Sequence, residues 1–186
     1  MLEKLLKELH EFVKERLWHV HHHPKNLVGA LLVEITELAE HFIPETPISK
    51  EELLCEIGDV NNILLLTKDN LQVSLPENTP PSNLSITSQV LDLIRKSGLL
   101  YDHFLWMTDE ESRSYQPIEE VSALYAPVYR AFITLTATLG IDPIAAGFQK
   151  LSLHRKKYPK ELIAGNLNAY YERKKAWRKN PPESFS

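Results

Sequence analysis

The sequence predicts an all-α protein, and three observations support this fold class. Apolar residues recur at three- and four-residue spacing through several segments, which is the period of an amphipathic helix. No segment sustains the alternation of apolar and polar residues that is typical of a half-buried strand. Prolines and glycines stand between the periodic segments, where helices begin and end. With 186 residues, the chain is long enough for one domain with its own hydrophobic core.

The first predicted helix is amphipathic and ends before Pro24. A proline disfavours helical geometry in the residue that precedes it, here His23. The apolar positions of this helix are Leu2, Leu5, Leu6, Leu9, Phe12, Val13 and Leu17. A second helix is predicted from about Lys25 to Phe42. Because this helix is apolar on nearly every side, we expect it to be buried.

A third helix is predicted from about Lys50 to Lys68. Ser49 is well placed as its N-cap, with Glu52 three residues later as in a capping box. Three prolines between Gln72 and Asn83 then predict a loop.

The middle of the chain predicts less regular structure. A shorter helix is expected from about Leu84 to Arg95, and Gly98 stands where a glycine often ends a helix. The aromatic stretch from Tyr101 to Trp106 is compatible with either a continued helix or a loop. The segment TDEESRSYQP, residues 108–117, is polar, and we expect it to be mobile.

Two helices are predicted in the last third of the chain. A long one spans about Ile118 to Leu139, with either a kink or a late start at Pro127. Asp142 and Pro143 have the pattern of an N-cap and a first helical position, for a helix that ends at about Tyr158.

These elements predict a single domain over residues 1–186. Its core is expected from segments 1–71 and 118–160, with an insertion at about 72–117. A basic segment, about 172–186, predicts a helix that passes into a disordered tail.

Composition excludes several functional classes. The net charge of -4 and the pI near 6.1 argue against nucleic-acid binding through a basic surface. The single cysteine, Cys55, excludes an internal disulfide framework and is expected to be a packed core residue. The N-terminal sequence is unlike a signal peptide, and no apolar run reaches the roughly 18 residues that a membrane span needs. We therefore expect a cytoplasmic protein without membrane or nucleic-acid partners.

Two carboxylate pairs lie on the second and third predicted helices. Glu34 and Glu37 form one pair, and Glu56 and Asp59 form the other. Residues three apart share one side of a helix. Glu34 and Glu56 have mostly aliphatic neighbours on their sides, where an unpaired carboxylate costs several kcal/mol. Although a single E-x-x-E is common on solvated helices, four converging carboxylates favour a divalent cation among them, Mg²⁺ or Mn²⁺.

Further motifs accompany these carboxylates in a fixed order. The stretch RLWHVHHHPKNLVGALLVEITELAEHF, residues 16–42, contains a tryptophan, a histidine and a P-K-N-L start to the E-x-x-E helix. The E-x-x-D pair follows one helix later. The segment GIDPIAAGFQKLSLHRKKYP, residues 140–159, is an aspartate-led helix that carries K-L and ends in a basic run before Tyr-Pro. Together these motifs resemble the MazG-like all-α nucleoside triphosphate pyrophosphohydrolases, which include the dCTP pyrophosphatases.

The chain departs from the pattern of this family at three places. Members usually pass directly from the E-x-x-D helix to the closing segment, whereas here the insertion intervenes. His154 stands where the family often has asparagine, and Pro44 stands where dCTP-preferring members commonly have an aromatic residue. These departures leave the preferred base and sugar open.

The resemblance implies an oligomeric helical bundle of the all-α NTP pyrophosphatase type. It implies hydrolysis of a nucleoside or deoxynucleoside triphosphate to the monophosphate and pyrophosphate, in nucleotide-pool house-cleaning. Mg²⁺ would be held by Glu34, Glu37, Glu56 and Asp59. Catalysis would fall to Glu37 and Glu34, with Glu37 chosen to activate the attacking water. The substrate-binding residues would be Trp18, His22, Lys25, Asn26, Asn62, Lys150, Arg155, Lys157 and Tyr158.

Several of these residues also have purely structural interpretations. Trp18 is at a helix end, where an aromatic side chain often belongs to the core. Lys25 and Asn26 begin a helix and are compatible with an exposed start. The basic run from Arg155 to Lys157 is favoured by the helix dipole alone. The histidines at 19 and 21–23 lack a second set of ligands, which argues against zinc.

Three other protein classes compete with this interpretation. A di-iron carboxylate bundle needs E-x-x-H motifs, which neither pair provides. A dimeric dUTPase-like hydrolase shares the carboxylate pattern and has longer insertions, and a non-catalytic helical interaction module is the third alternative. Short helices around a polar centre leave little hydrophobic core per chain, so we expect a homodimer or homotetramer.

Overall fold

The computed structural model describes residues 1–43, 49–77, 81–116 and 119–179. Over these residues the secondary structure is helical without a strand, which confirms the all-α prediction. The α-helices are α1 (Leu2–Glu15), α2 (Pro24–Glu40), α3 (Lys50–Leu71), α4 (Ile86–Leu105), α5 (Asp109–Arg113), α6 (Glu119–Leu139), α7 (Pro143–Lys157), α8 (Lys160–Ile163) and α9 (Leu167–Lys179). A 3₁₀ helix, Trp18–His21, connects α1 to α2.

Helix α3 is the central element of the fold. It packs against α2 on one side and α7 on the other, while α4 packs against α2 and α6. One apolar core lies among α2, α3, α4 and α6, and a second lies among α1, α3 and the end of α7. Because α3 contributes to both cores, its polar residues lie at the boundary between them.

Two glycines allow α3 and α7 to approach closely. A Cβ atom at Gly58 would lie 2.5 Å from the carbonyl oxygen of Ala146 and 2.7 Å from Cβ of Lys150. A Cβ atom at Gly147 would lie 2.6 Å from Oδ1 of Asn62. No larger residue fits at Gly58 without moving the helices apart, whereas at Gly147 the side chains of Asn61, Asn62 and Leu5 would have to shift.

Helix α2 is less enclosed than the sequence predicts. Leu31, Ile35 and Leu38 are fully buried, but Val33 is 49% exposed and Thr36 is exposed beside it. Val33 is therefore apolar without being buried, and one side of α2 faces solvent.

The prediction that Gly98 ends a helix is wrong. Helix α4 continues through Gly98 to Leu105, so the aromatic stretch after it is helical up to that residue. A glycine ends a helix by adopting a left-handed conformation. Gly98 does not adopt it, whereas Gly140, with φ of +68°, does so after α6.

The segment 108–117, which was expected to be mobile, contains a short helix in its described part. Thr108 and Glu111 form a capping box, which begins α5. The hydroxyl of Ser112 in α5 is buried and accepts a hydrogen bond from the backbone N–H of Lys25 at 2.9 Å. The Arg113 guanidinium donates to the carbonyl of Val20 at 2.5 Å. The segment is thus held against the start of α2.

Other predicted boundaries agree with the structure. Ser49 accepts the backbone N–H of Glu52 at the start of α3. Asp142 caps α7 through the N–H groups of Ile144 and Ala145, with Pro143 as the first helical residue. Pro127 lies inside α6. Pro44, part of the 72–83 loop and the tail after residue 179 lie outside the described residues.

Among the described helices, none is by itself long and apolar enough to cross a membrane. Helices α6 and α7 meet the length and composition test only as a pair, and they are bent by 94° relative to each other.

Candidate metal centre

Three carboxylates from two helices converge at one place. Glu34 extends from α2, and Glu56 and Asp59 extend from α3. One oxygen atom from each lies within 4.8 Å of the others. The i,i+3 spacing brings Glu56 and Asp59 to one side of α3, and the packing of α2 on α3 adds Glu34. This set of oxygen ligands is the kind that Mg²⁺ and Mn²⁺ prefer.

Glu37, the fourth predicted ligand, lines the same cavity but is not one of the three converging residues. Its charge acts on the group nonetheless, since it contributes to raising the pKa of both Glu34 and Glu56. The structure therefore brings three predicted ligands together and places the fourth beside them.

The electrostatics of the group favour a cation. Burial raises the pKa of Glu34 to about 8, and the charges of Asp59, Glu37 and Glu56 add to the effect. Burial also raises the pKa of Glu56 to about 7, although Lys150 opposes this shift. Within the described residues, Oε2 of Glu56 is buried without a hydrogen-bond partner. A buried carboxylate oxygen needs such a partner or a cation, so these residues fit a divalent ion.

Asp59 has two further partners on α7. Nζ of Lys150 lies 2.5 Å from Oδ2 of Asp59, and Nε2 of His154 lies 3.4 Å from Oδ1. Burial alone would lower the pKa of Lys150, but the charges of Asp59 and Glu56 raise it above its ordinary value. Burial lowers the pKa of His154 to about 4, despite the attraction of Asp59. His154 is therefore neutral at pH 7.

The carboxylates line a cavity of about 620 Å³. This volume is in the range of pockets that bind small molecules. Seven of the predicted substrate-binding residues line it, namely Trp18, His22, Asn26, Asn62, Lys150, Lys157 and Tyr158.

Lys25 and Arg155 are the two predicted substrate-binding residues that do not line this cavity. Nζ of Lys25 donates to the carbonyl of Met107 at 2.6 Å, and Arg155 pairs with Glu8 at 2.9 Å. At about 100° per residue, Lys25 lies opposite Glu34 on α2. Arg155 lies about 140° around α7 from Lys150 by the same rule, which explains both positions.

The polar groups at the cavity wall are partly engaged within the protein. The amide of Asn62 donates to the carbonyl of Gly147 at 3.0 Å, and that of Asn26 donates to the carbonyl of His21 at 3.1 Å. Burial lowers the pKa of His22 to about 4, helped by neighbouring histidines. The two hydrogen bonds hold the asparagine side chains in place, and the lowered pKa keeps His22 neutral at pH 7.

Trp18 belongs to a cluster of aromatic rings at the cavity. Its ring contacts those of Phe12, Tyr158 and Tyr170 edge-on, with centroids 5.4 to 5.5 Å apart. Trp18 therefore packs against other aromatic side chains and also lines the cavity. Cys55 is buried, as expected of a core residue.

Sequence reasoning missed the contribution of α9. The residues of this helix that line the cavity are Leu167, Tyr170, Tyr171, Lys174 and Trp177. Of these, only Lys174 and Trp177 belong to the segment that was expected to be a basic helix before a tail. One signal was available, because Tyr170, Lys174 and Trp177 follow the i, i+4, i+7 spacing of a single helix face.

Two histidines of the run before α2 lie in different surroundings. His23 is buried, and its Nδ1 lies 2.9 Å from the hydroxyl of Ser112. His22 instead lines the cavity.

In comparisons with known proteins, no family model, no curated protein and no solved structure matches this chain.

Proposed function

We propose that this protein is a metal-dependent nucleoside triphosphate pyrophosphohydrolase. It hydrolyses a nucleoside or deoxynucleoside triphosphate to the monophosphate and pyrophosphate, as part of nucleotide-pool house-cleaning. The observation that carries the proposal is the convergence of Glu34, Glu56 and Asp59 within 4.8 Å. Lysine side chains and aromatic rings line the same cavity. The motif resemblance to the MazG-like enzymes is consistent with this chemistry.

Glu34, Glu56 and Asp59 are the proposed ligands of Mg²⁺ or Mn²⁺, with Glu37 beside them. When bound, the metal ion neutralises the polyphosphate and stabilises the charge that develops on the leaving pyrophosphate. The raised pKa values of Glu34 and Glu56 mean that cation binding also releases protons from these groups.

The water that attacks the α-phosphorus needs a general base. Glu37 is the proposed base, with Glu34 as the alternative, because both carboxylates line the cavity. Lys150, held by Asp59, and Lys157 provide positive charge for phosphate oxygens. Trp18, His22 and Tyr158 offer ring surfaces to the base of the nucleotide.

The same proposal extends to the assembly. We propose that the helices form a bundle of the all-α NTP pyrophosphatase type that associates as a homodimer or homotetramer. Exposed apolar residues on α2 and α4, such as Val33, Leu91 and Leu99, are compatible with this association.

Pyrophosphate release tests the proposed reaction. Purified protein is incubated with Mg²⁺ and a panel of NTPs, dNTPs and modified analogues, beside the Glu56→Gln variant. Glu51→Gln is the control, since Glu51 is exposed on the same helix. We expect pyrophosphate and monophosphate from the wild type and the control, and a loss of at least about a hundredfold in Glu56→Gln.

The result also separates the competing classes. Activity restricted to dUTP would favour the dUTPase-like alternative. Absence of turnover, together with absence of thermal stabilisation by Mg²⁺, would favour a non-catalytic helical module. Equal rates in the wild type and Glu56→Gln would refute the assigned metal site.

A further inference from the structure

Helix α9 is fixed over the cavity by contacts with the end of α7. The Arg173 guanidinium donates to the carbonyl of Lys157 at 2.9 Å. The ring of Tyr170 contacts those of Tyr158 and Trp18, with centroids 5.3 and 5.5 Å apart. These contacts hold one face of α9 against the same cavity that the three carboxylates line.

This arrangement places two lysines near each other at the cavity wall. Nζ of Lys157 lies over the rings of Tyr158 and Trp177, 5.2 and 5.7 Å from their centroids. Lys174, one turn before Trp177 on α9, lines the same cavity. Burial lowers the pKa of the Lys157 ammonium, and repulsion from the charges of Lys150 and Lys174 adds to that effect.

Unlike Lys150, these two lysines lack an acidic partner in the part of the chain that the structure describes. Lys150 is paired with Asp59 at 2.5 Å. Neither Lys157 nor Lys174 has a carboxylate oxygen within 4.0 Å in that part. Two neighbouring cations that repel each other in a partly enclosed cavity are stabilised by a bound anion.

We propose that Lys157 and Lys174 form a subsite for the terminal phosphates of the triphosphate, the pair that leaves as pyrophosphate. The inference rests on the proposed function, in which Glu34, Glu56 and Asp59 hold the metal ion and water attacks the α-phosphorus beside them. The β- and γ-phosphates then extend toward the unpaired cations, since they carry most of the charge of the substrate. Lysine suits such a role because its ammonium acts as a point charge on phosphate oxygens.

The next residue of α9 provides a matched control. Lys175 is exposed and pairs with Glu172 at 3.2 Å, away from the cavity. Lys174 and Lys175 therefore differ in the direction of the side chain but not in its chemistry or helix. Replacing either lysine by alanine removes one positive charge from adjacent positions of the same helix.

Binding of inorganic pyrophosphate and of a nucleoside monophosphate tests the subsite. Both are titrated calorimetrically in Mg²⁺ buffer against the wild type, Lys174→Ala, Lys175→Ala and Lys174→Arg. We expect Lys174→Ala to weaken pyrophosphate binding at least about tenfold, the usual effect of losing a charged hydrogen bond. Monophosphate affinity stays unchanged, Lys175→Ala behaves as the wild type, and Lys174→Arg retains most of the pyrophosphate affinity.

Three outcomes overturn the inference. The first is equal pyrophosphate affinity in the wild type and Lys174→Ala, the second is absence of pyrophosphate binding by the wild type, and the third is an equal loss of monophosphate affinity. Turnover of triphosphates by the wild type is measured in parallel. Pyrophosphate binding that depends on Lys174, without turnover, would contradict the proposed hydrolase and still support the subsite.

Discussion

Lys150 on α7 and Asp59 on α3 form a nearly buried ion pair at the edge of the carboxylate group. Nζ lies 2.5 Å from Oδ2, and the two side chains are 14% and 10% exposed. The positive charge of Lys150 compensates that of Asp59. It also lowers the pKa of Glu56, but burial outweighs this effect and the pKa stays raised. Lys150 therefore partly balances the site before a cation binds, and the pKa of Glu34 is raised further than that of Glu56.

Replacing Lys150 by methionine tests this compensation. Breaking a buried pair leaves an uncompensated charge, so we expect the free energy of unfolding of the metal-free protein to fall by about 3 kcal/mol. Mg²⁺ should restore part of the loss, because the cation replaces the missing charge. Chemical denaturation with EDTA and with Mg²⁺ measures both values.

Lys160→Met is the control for this variant. Lys160 pairs with Glu15 at 3.2 Å, but both side chains are exposed. We expect no measurable change, since solvent screens such pairs. A loss of equal size in both variants would show that burial at Asp59 is not the cause.

The raised pKa values of two acids predict a pH dependence of stability. A carboxyl group whose pKa is higher in the folded than in the unfolded protein binds more protons when folded, so stability falls as pH rises through this range. For Glu34 the range extends from the ordinary value of 4.5 to about 8. Between pH 6.5 and 8 this loss exceeds the opposite contribution of the histidines whose pKa burial lowers, so the metal-free protein should lose about 1 kcal/mol.

Thermal denaturation at several pH values checks this expectation. In EDTA the midpoint should fall between pH 6.5 and 8, and Glu34→Gln should remove most of the slope. Mg²⁺ should stabilise the protein more at pH 8 than at pH 6.5, because the ionised acids bind it without releasing protons. A wild-type midpoint that rises over this range in EDTA would contradict the assigned burial.

The close contact of α3 and α7 predicts a strong effect at Gly58. In Gly58→Ala, the added methyl group meets the carbonyl of Ala146, so the helices must separate. We expect a loss of about 2 kcal/mol in the free energy of unfolding and a lower affinity for Mg²⁺, since Lys150 and Asp59 move apart. Urea denaturation and cation titration measure the two effects.

Gly98→Ala is a matched substitution in α4. A Cβ atom at Gly98 meets nothing within 4 Å, and the residue is helical. Alanine should therefore stabilise the protein by about 0.5 kcal/mol without changing Mg²⁺ affinity. If both glycine variants lose stability equally, close packing is not the reason for glycine at position 58.

The hydroxyl of Ser112 predicts how firmly the insertion is attached. Ser112→Ala leaves the N–H of Lys25 and the ring nitrogen of His23 without their common partner. We expect a loss of about 1.5 kcal/mol in urea denaturation. Ser114→Ala removes an exposed hydroxyl from the same segment and should have little effect, so an equal loss in both would disprove the specific role of Ser112.

The positions of the acids could be predicted from the sequence because they depend on local geometry. The three-residue spacing fixes the relative direction of Glu56 and Asp59 once α3 forms, and Asp142 and Ser49 cap their helices through contacts a few residues away. Such relationships need only the period of the helix.

Relationships between distant segments could not be predicted in this way. The burial of Ser112 depends on contacts 87 and 89 residues away, at Lys25 and His23. The place of α9 over the cavity depends on the hydrogen bond from Arg173 to Lys157 and on the edge-on contact of Tyr170 with Trp18. Residues 108–117 are polar and the residues after 172 are basic, as the sequence shows. Composition alone does not reveal which distant residues the described parts of these segments contact.

Calorimetric titration of Mg²⁺ into the metal-free wild type and the Glu56→Gln variant measures the proposed cation site itself. We expect saturable binding to the wild type with proton release, and binding at least about tenfold weaker in the variant. Absence of saturable binding to the wild type, or equal affinity in both proteins, would contradict a cation site at Glu34, Glu56 and Asp59.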